Sequence, residues 1–218
     1  RTDCWAFAVM TFKLLALCHP FIGNKVLQAE DEDGGWDAES QLSGDGAPTN
    51  MEDRAYAGYL PFVDDEDDDA NQGVSGLPRA LVATEGLRRL FQETFGAGRE
   101  LPHRRPPIAF WTLELARAAD LSLDCPVCGM SHFVDEHAQC PYCGATHSAF
   151  IRVKTPRWEI LIPGSATAFL LPKRLFYPFS FEHHDDTVYE AVLNFAAKTA
   201  VPVRGTQPFP DNLSFEFV

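Results

Sequence analysis

Apolar residues crowd the stretch from Asp3 to Phe21, and after Asp3 its only full charge is Lys13. A helix with no wet side has to be enclosed by other parts of the chain. Thr2 or Asp3 offers a side-chain oxygen to the first free N–H groups, and Pro20 followed by Gly23 stops the run. The pattern predicts one central helix of about 16 residues, about 24 Å long. It is shorter than the roughly 20 apolar residues of a membrane span. It also lacks the basic leader and small-residue cleavage site of a secretory signal.

Helical periodicity returns twice. Thr84 caps a helix in which Leu87, Leu90, Phe91 and Phe95 share a face, and Gly96 ends it. The rigid turn Leu101 to Pro107 leads to a second helix with Pro107 in its first turn, on which Ile108, Trp111 and Leu115 share a face until Asp120. Both are expected to pack on the first helix. Between these and the amino-terminal rod, the residues from Ile22 to about Asn50 are too rich in Gly, Ser, Pro and acids to build a core. Met51 to Pro61 carries a short helical pattern ending at Gly58, and the six successive acids Asp64 to Asp69 read as a solvated loop. Asp31 and Asp33 before Gly34 lack the remaining oxygen ligands of a calcium loop.

Beyond Asp120 the grammar changes to strands. Phe150 to Lys154, Trp158 to Gly164 and Ala168 to Lys173 are short apolar or alternating pieces parted by Pro and Gly. Thr187 to Lys198 fits helix and strand about equally badly, and Phe209 to Val218 ends in a last strand. A compact β module is expected here, a sandwich of forkhead-associated flavour. His183, His184, Asp185 and Asp186 form the tail's only cluster that could hold a metal or do acid–base work, and they read as a polar turn.

The cysteines carry the clearest chemistry. Of six, four fall in the repeated unit Cys-Pro-x-Cys-Gly: Cys125 with Cys128, and Cys140 with Cys143. Two residues between thiolates let both sulfurs face one ion at about 2.3 Å, and the following Gly permits the turn that aims N–H groups at sulfur. Four thiolates leave no open coordination position, so the pattern predicts a structural zinc ribbon in a reducing, cytoplasmic compartment. Metal here substitutes for a core that so few residues cannot form. Cys4 and Cys18, on the apolar helix, read as inert small hydrophobes. His132, His137 and His147 read as surface residues beside a site already complete.

Charge narrows the partners. The chain has 218 residues and a formal charge of −13, and no Lys or Arg lies between Cys125 and Cys143. That argues against a nucleic-acid interface and for protein docking. The expected fold class is α+β and multi-module, with helical residues 1–120 interrupted by an acidic insertion at about 28–76. A zinc ribbon over 121–148 and a small all-β module over 149–218 follow.

The amino-terminal run Asp-x-Trp-Ala-Phe-Ala-Val-Met-x-Phe-x-Leu-Leu, then His-Pro-Phe-x-Gly, resembles the central helix of the C-terminal lobe of bacterial eukaryotic-like Ser/Thr protein kinases. Ala8 stands where the family usually has Gly, and Lys13 where Glu is frequent. Leu-x-x-Leu-Phe-x-x-Thr-Phe, then Arg-Pro and a Trp-x-x-x-Leu helix, resembles the last two helices of that lobe in order and spacing. The resemblance implies structural roles for Asp3, which would hold the catalytic-loop backbone, for Trp5, and for Arg105, which would form a buried ion pair with an upstream Glu. Without that Glu, Arg105 is expected to be under-satisfied or to have found another acid.

No Gly-rich loop, Val-Ala-x-Lys strand, His-Arg-Asp loop or Asp-Phe-Gly occurs in the 218 residues, so no catalytic or ATP-binding residue can be assigned. The module order is similar to kinases encoded beside a phosphatase and a von Willebrand A-type protein. The resemblance implies a C-terminal fragment whose parent uses ATP and magnesium, with the upstream kinase half and those two proteins as partners, and no membrane or nucleic acid. The alternative is a non-enzymatic zinc-ribbon adaptor for protein–protein interaction.

Overall fold

A computed structural model describes residues 2–32, 50–73, 75–134, 139–178, 189–204 and 206–218, without the side chains of residues 30–32. The chain is mixed α+β and separates into two compact units, Arg1–Thr112 and Leu113–Val218. The division falls inside the last helix.

The first unit is built on α1 (Thr2–Ala16), which buries Ala8, Thr11, Phe12 and Ala16. It ends earlier than Pro20 because the main chain reverses there. Leu17 takes a left-handed φ of 56°, and the Ala16 carbonyl accepts the N–H of Leu77 at 2.8 Å. That approach is possible because Gly76, at φ 77°, has no Cβ; one would lie 2.1 Å from the Ala16 oxygen. The expectation of burial all round is overturned: Met10, Leu14 and Leu17 are 62%, 74% and 68% exposed.

After α1 come α2 (Asn24–Glu32), α3 (Met51–Tyr56) and a short α4 (Arg79–Val82). Asn50 caps α3 through its side chain, and Gly58 follows at φ 75°. In α5 (Glu85–Phe95) the Thr84 hydroxyl accepts the Leu87 N–H, and Leu87, Leu90, Phe91 and Phe95 are buried as their spacing requires. Gly96 ends it, a short α6 (Ala97–Glu100) follows, and α7 (Ile108–Asp120) begins directly after Pro107. Ile108 departs from expectation: it is 40% exposed, while Trp111 is fully buried.

Phe12, Phe21, Phe62, Phe91, Phe95 and Trp111 form one aromatic core. Phe12 meets Phe91 at 5.1 Å, Phe62 meets Phe95 at 5.0 Å, and Phe91 meets Trp111 at 5.0 Å. The edge-on and tilted arrangements suit ring quadrupoles. Asn71 staples two loops to this core, its amide donating to the carbonyls of Phe21 (3.0 Å) and Pro61 (2.8 Å).

The second unit carries a β1–β2 hairpin (Ser122–Asp124 with Ser131–Phe133) and two antiparallel three-stranded sheets. One sheet is ordered β4 (Glu159–Pro163), β3 (Phe150–Lys154), β8 (Ser214–Phe217). The other is ordered β5 (Ala168–Leu171), β6 (Tyr189–Asn194), β7 (Thr199–Pro202). Residues 189–194, ambiguous from their pattern, are therefore strand. Ile151, Val153, Trp158, Ile160, Ile162, Leu171, Ala191 and Leu193 from both sheets form a single core.

The outward faces differ. Arg152 and Lys154 on β3 pair with Glu159 on β4 and Glu216 on β8. On the other sheet, Val192 lies between Ala168 and Val201 in register, and Leu170, Val192 and Val201 are exposed. Among the described residues, no helix is long and apolar enough to cross a membrane.

Candidate metal centre

Two near-identical knuckles bring four thiols together. In the first, the Cys125 N–H donates to Met130 O (3.0 Å) and the Gly129 N–H to Cys125 O (2.8 Å). In the second, the Cys140 N–H donates to Ala145 O (2.8 Å) and the Gly144 N–H to Cys140 O (2.9 Å). Gly129 and Gly144 sit at φ 73° and 72° with open space around them, so backbone freedom rather than close packing calls for glycine there. The β1–β2 hairpin presents the first knuckle, and a bridge between Gln139 and Thr146 closes the second.

The four sulfurs lie within 4.8 Å of one another, Cys125 to Cys143 at 3.6 Å and Cys128 to Cys140 at 3.7 Å. Bonds of about 2.3 Å to a tetrahedral ion put sulfurs about 3.8 Å apart. The cluster can hold one metal ion with all four residues the sequence singles out.

The electrostatics favour a cation among the sulfurs. N–H groups of Cys128 and Val127 directed at Cys125 bring its thiol down to about 6. At Cys143 the Ala145 N–H draws the pKa down, yet desolvation and the other three sulfurs push it up to about 12. Cys128 is raised too: burial and the sulfurs of Cys140 and Cys125 outweigh the Met130 N–H. Full deprotonation of such a crowd needs a compensating positive charge, which a bound ion supplies.

Beside the thiols is a cavity of about 460 Å³, lined in part by Cys125, Cys140, His132 and His147. His132 is not a surface residue as expected: it is 3% exposed, and its Nε2 lies 2.9 Å from Nδ1 of half-buried His147. One ring donates and the other accepts. The pairing of histidines far apart in sequence leaves no local pattern to find. The knuckles join the sheets through a small cluster of Val134, Phe150 and Leu161, with Leu123 against it.

The other residues marked in the sequence have partners of their own. Asp3 is exposed in the first turn of α1. Trp5 stacks on Phe21 at 5.3 Å, and Gly58 passes so close that a Cβ would lie 2.9 Å from the indole. Arg105 is neither under-satisfied nor dependent on an acid alone. Its Nε donates to Gly98 O at 2.7 Å, Nη2 to Arg99 O at 3.3 Å, and the guanidinium lies 4.6 Å over Trp5. Desolvation lowers its pKa.

Cys4 and Cys18 stay outside the thiol cluster, and burial raises the Cys18 pKa. His137 and His183 to Asp186 lie outside the described residues. Asp120, read from sequence only as a helix end, instead accepts from Trp158 Nε1 at 2.7 Å and from Arg174 Nε and Nη2 at 2.6 Å each.

No family model, curated protein or solved structure matches this sequence.

Proposed function

We propose that this chain is the C-terminal portion of a Ser/Thr protein kinase of the bacterial eukaryotic-like kind, carrying a structural zinc centre and a β module behind its lobe. The parent moves the γ-phosphoryl of ATP, with magnesium, onto protein Ser or Thr. This segment contributes scaffold and docking surface and no catalytic group. The observation that carries the reading is the exposed stripe of α1. Met10 and Leu14 stand at i and i+4 on one helix face, Leu17 lies exposed just beyond the helix, and large apolar side chains so grouped mark a surface that another segment covers. The upstream kinase half is that segment, with Asp3 in the first turn placed to hold its backbone. A phosphatase and a von Willebrand A-type protein are the further partners, in the cytoplasm.

The ion is zinc and structural. Four thiolates complete a tetrahedron and leave no place for substrate or water.

The test is ATP-dependent Ser/Thr phosphorylation by the polypeptide read with its upstream coding sequence. A kinase needs a catalytic-loop Asp and a magnesium-binding Asp in that sequence, and replacing the former must abolish phosphotransfer. An upstream sequence without them ends the kinase reading. The second reading, a non-enzymatic zinc-ribbon adaptor, is favoured by the apolar outer face of Leu170, Val192 and Val201. It gains if phosphotransfer is absent while Val192→Glu or Val201→Glu removes partner binding.

A further inference from the structure

Within the first unit, Phe12, Leu15, Phe62, Val82, Ala83 and Phe91 surround a cavity of about 140 Å³. An engineered apolar cavity of about 150 Å³ stays dry and takes up benzene. The interior here therefore fits one aromatic ring or a short branched alkyl group, and its three phenyl walls favour a ring.

Charged groups in the lining decide what such a ligand carries. Arg79 is committed: Nε is 2.7 Å from Asp64 Oδ2, Nη1 donates to Ser75 O at 3.1 Å, and the guanidinium lies 5.0 Å over Phe12. Asp64 is thereby neutralised, and the Gln92 amide donates to the Asp64 carbonyl. Two charges remain, Arg88 and Glu66. Glu66 is exposed and solvated, whereas Arg88 is half-buried and its guanidinium has no ion pair or hydrogen bond among the described residues. An anion gains most beside an unpaired guanidinium, while an exposed carboxylate turns into water at little cost.

We infer that this cavity binds a small aromatic monocarboxylate, with the ring among Phe12, Phe62 and Phe91 and the carboxylate on Arg88. The site belongs to the first unit and the thiol cluster to the second, and the inference does not depend on the kinase reading.

Phenylacetate is the probe, titrated into the full 218-residue chain and followed by calorimetry and by methyl NMR of Leu15, Val82 and Ala83. Saturable binding at one site that shifts these methyls is expected, with ethylbenzene and phenethylammonium each at least about tenfold weaker, the loss of one charge-assisted contact. Arg88→Gln should weaken phenylacetate about tenfold and leave ethylbenzene unchanged, while Arg88→Lys restores part of the affinity. Val82→Trp should fill the cavity and abolish both. The inference is overturned if phenylacetate gives no saturable shift at millimolar concentration, if ethylbenzene or phenethylammonium binds as tightly, or if Arg88→Gln changes nothing.

Discussion

Replacing Asp120 by Ala should loosen the second unit far more than an exposed helix-end substitution normally does. A carboxylate in the last turn of a helix faces the negative end of the macrodipole, so Asp120 lies where its own helix disfavours it. What it gains is tertiary: three donors within 2.7 Å, one of them the indole N–H of Trp158, a residue 3% exposed. Losing a hydrogen bond from a buried donor to a charged acceptor costs about 1.5–3 kcal/mol. The Arg174 side chain is 45% exposed, so its share is screened to at most about 1 kcal/mol. Relief at the helix end returns a few tenths.

The sum is a loss of about 1–4 kcal/mol for Asp120→Ala and, since an amide oxygen can still accept from Trp158, about half that for Asp120→Asn. Hydrogen exchange of the β3 and β4 amides measures the loss locally, with α5 as internal reference. A change below about 0.5 kcal/mol in β3 and β4, or an equal change in α5, would refute the assignment of Asp120 as the local anchor of Trp158.

Further outcomes follow from the same geometry. Native mass spectrometry of reduced protein should find one metal per chain, and a chelator or Cys140→Ser should abolish exchange protection in β1 and β2; protection that survives metal removal would contradict coupling of metal to fold. Burial first, and Lys13 second, depress His19 to about 4, and its Nδ1 accepts the Phe21 N–H at 3.3 Å, so the neutral ring is the native form. The unfolded chain then binds more protons between about pH 6.5 and 4, and stability falls as pH drops through that window. Discounted for a half-exposed ring, the loss is about 1–2 kcal/mol, and urea melts of His19→Gln should lack it. Gly23→Ala should cost about 2–3 kcal/mol, because its Cβ would sit 1.9 Å from the Asn71 carbonyl oxygen; a neutral melting temperature would show that the loop yields.

What could be read without coordinates was what is local. The knuckles repeat a five-residue unit, and α5 declares itself through its cap, its 3 and 4 residue steps and its closing Gly. These need no knowledge of the rest of the chain. Composition tells how apolar a helix is, not which neighbours reach it, so all-round burial fails at Met10 and Leu14 on α1 and at Leu17 beyond it, which lie in solvent. Asn71, Asp120 and the His132–His147 pair escaped for a related reason. Each is polar in a stretch that reads as loop or helix end, and each acquires its role from a partner that folding alone supplies.

The two knuckles are separated by only an eleven-residue spacer, and that shortness has a consequence for the order of assembly. Closing so small a loop costs little chain entropy, and the cost rises only with the logarithm of length. The strand pairings between β3 and β8, by contrast, bridge 60 positions or more. A nascent chain could therefore clamp a metal ion while the β3–β8 strands are still unpaired, and the clamp would then offer them a rigid seed. Metal scarcity would act on this protein at its synthesis, before it acts on the finished molecule.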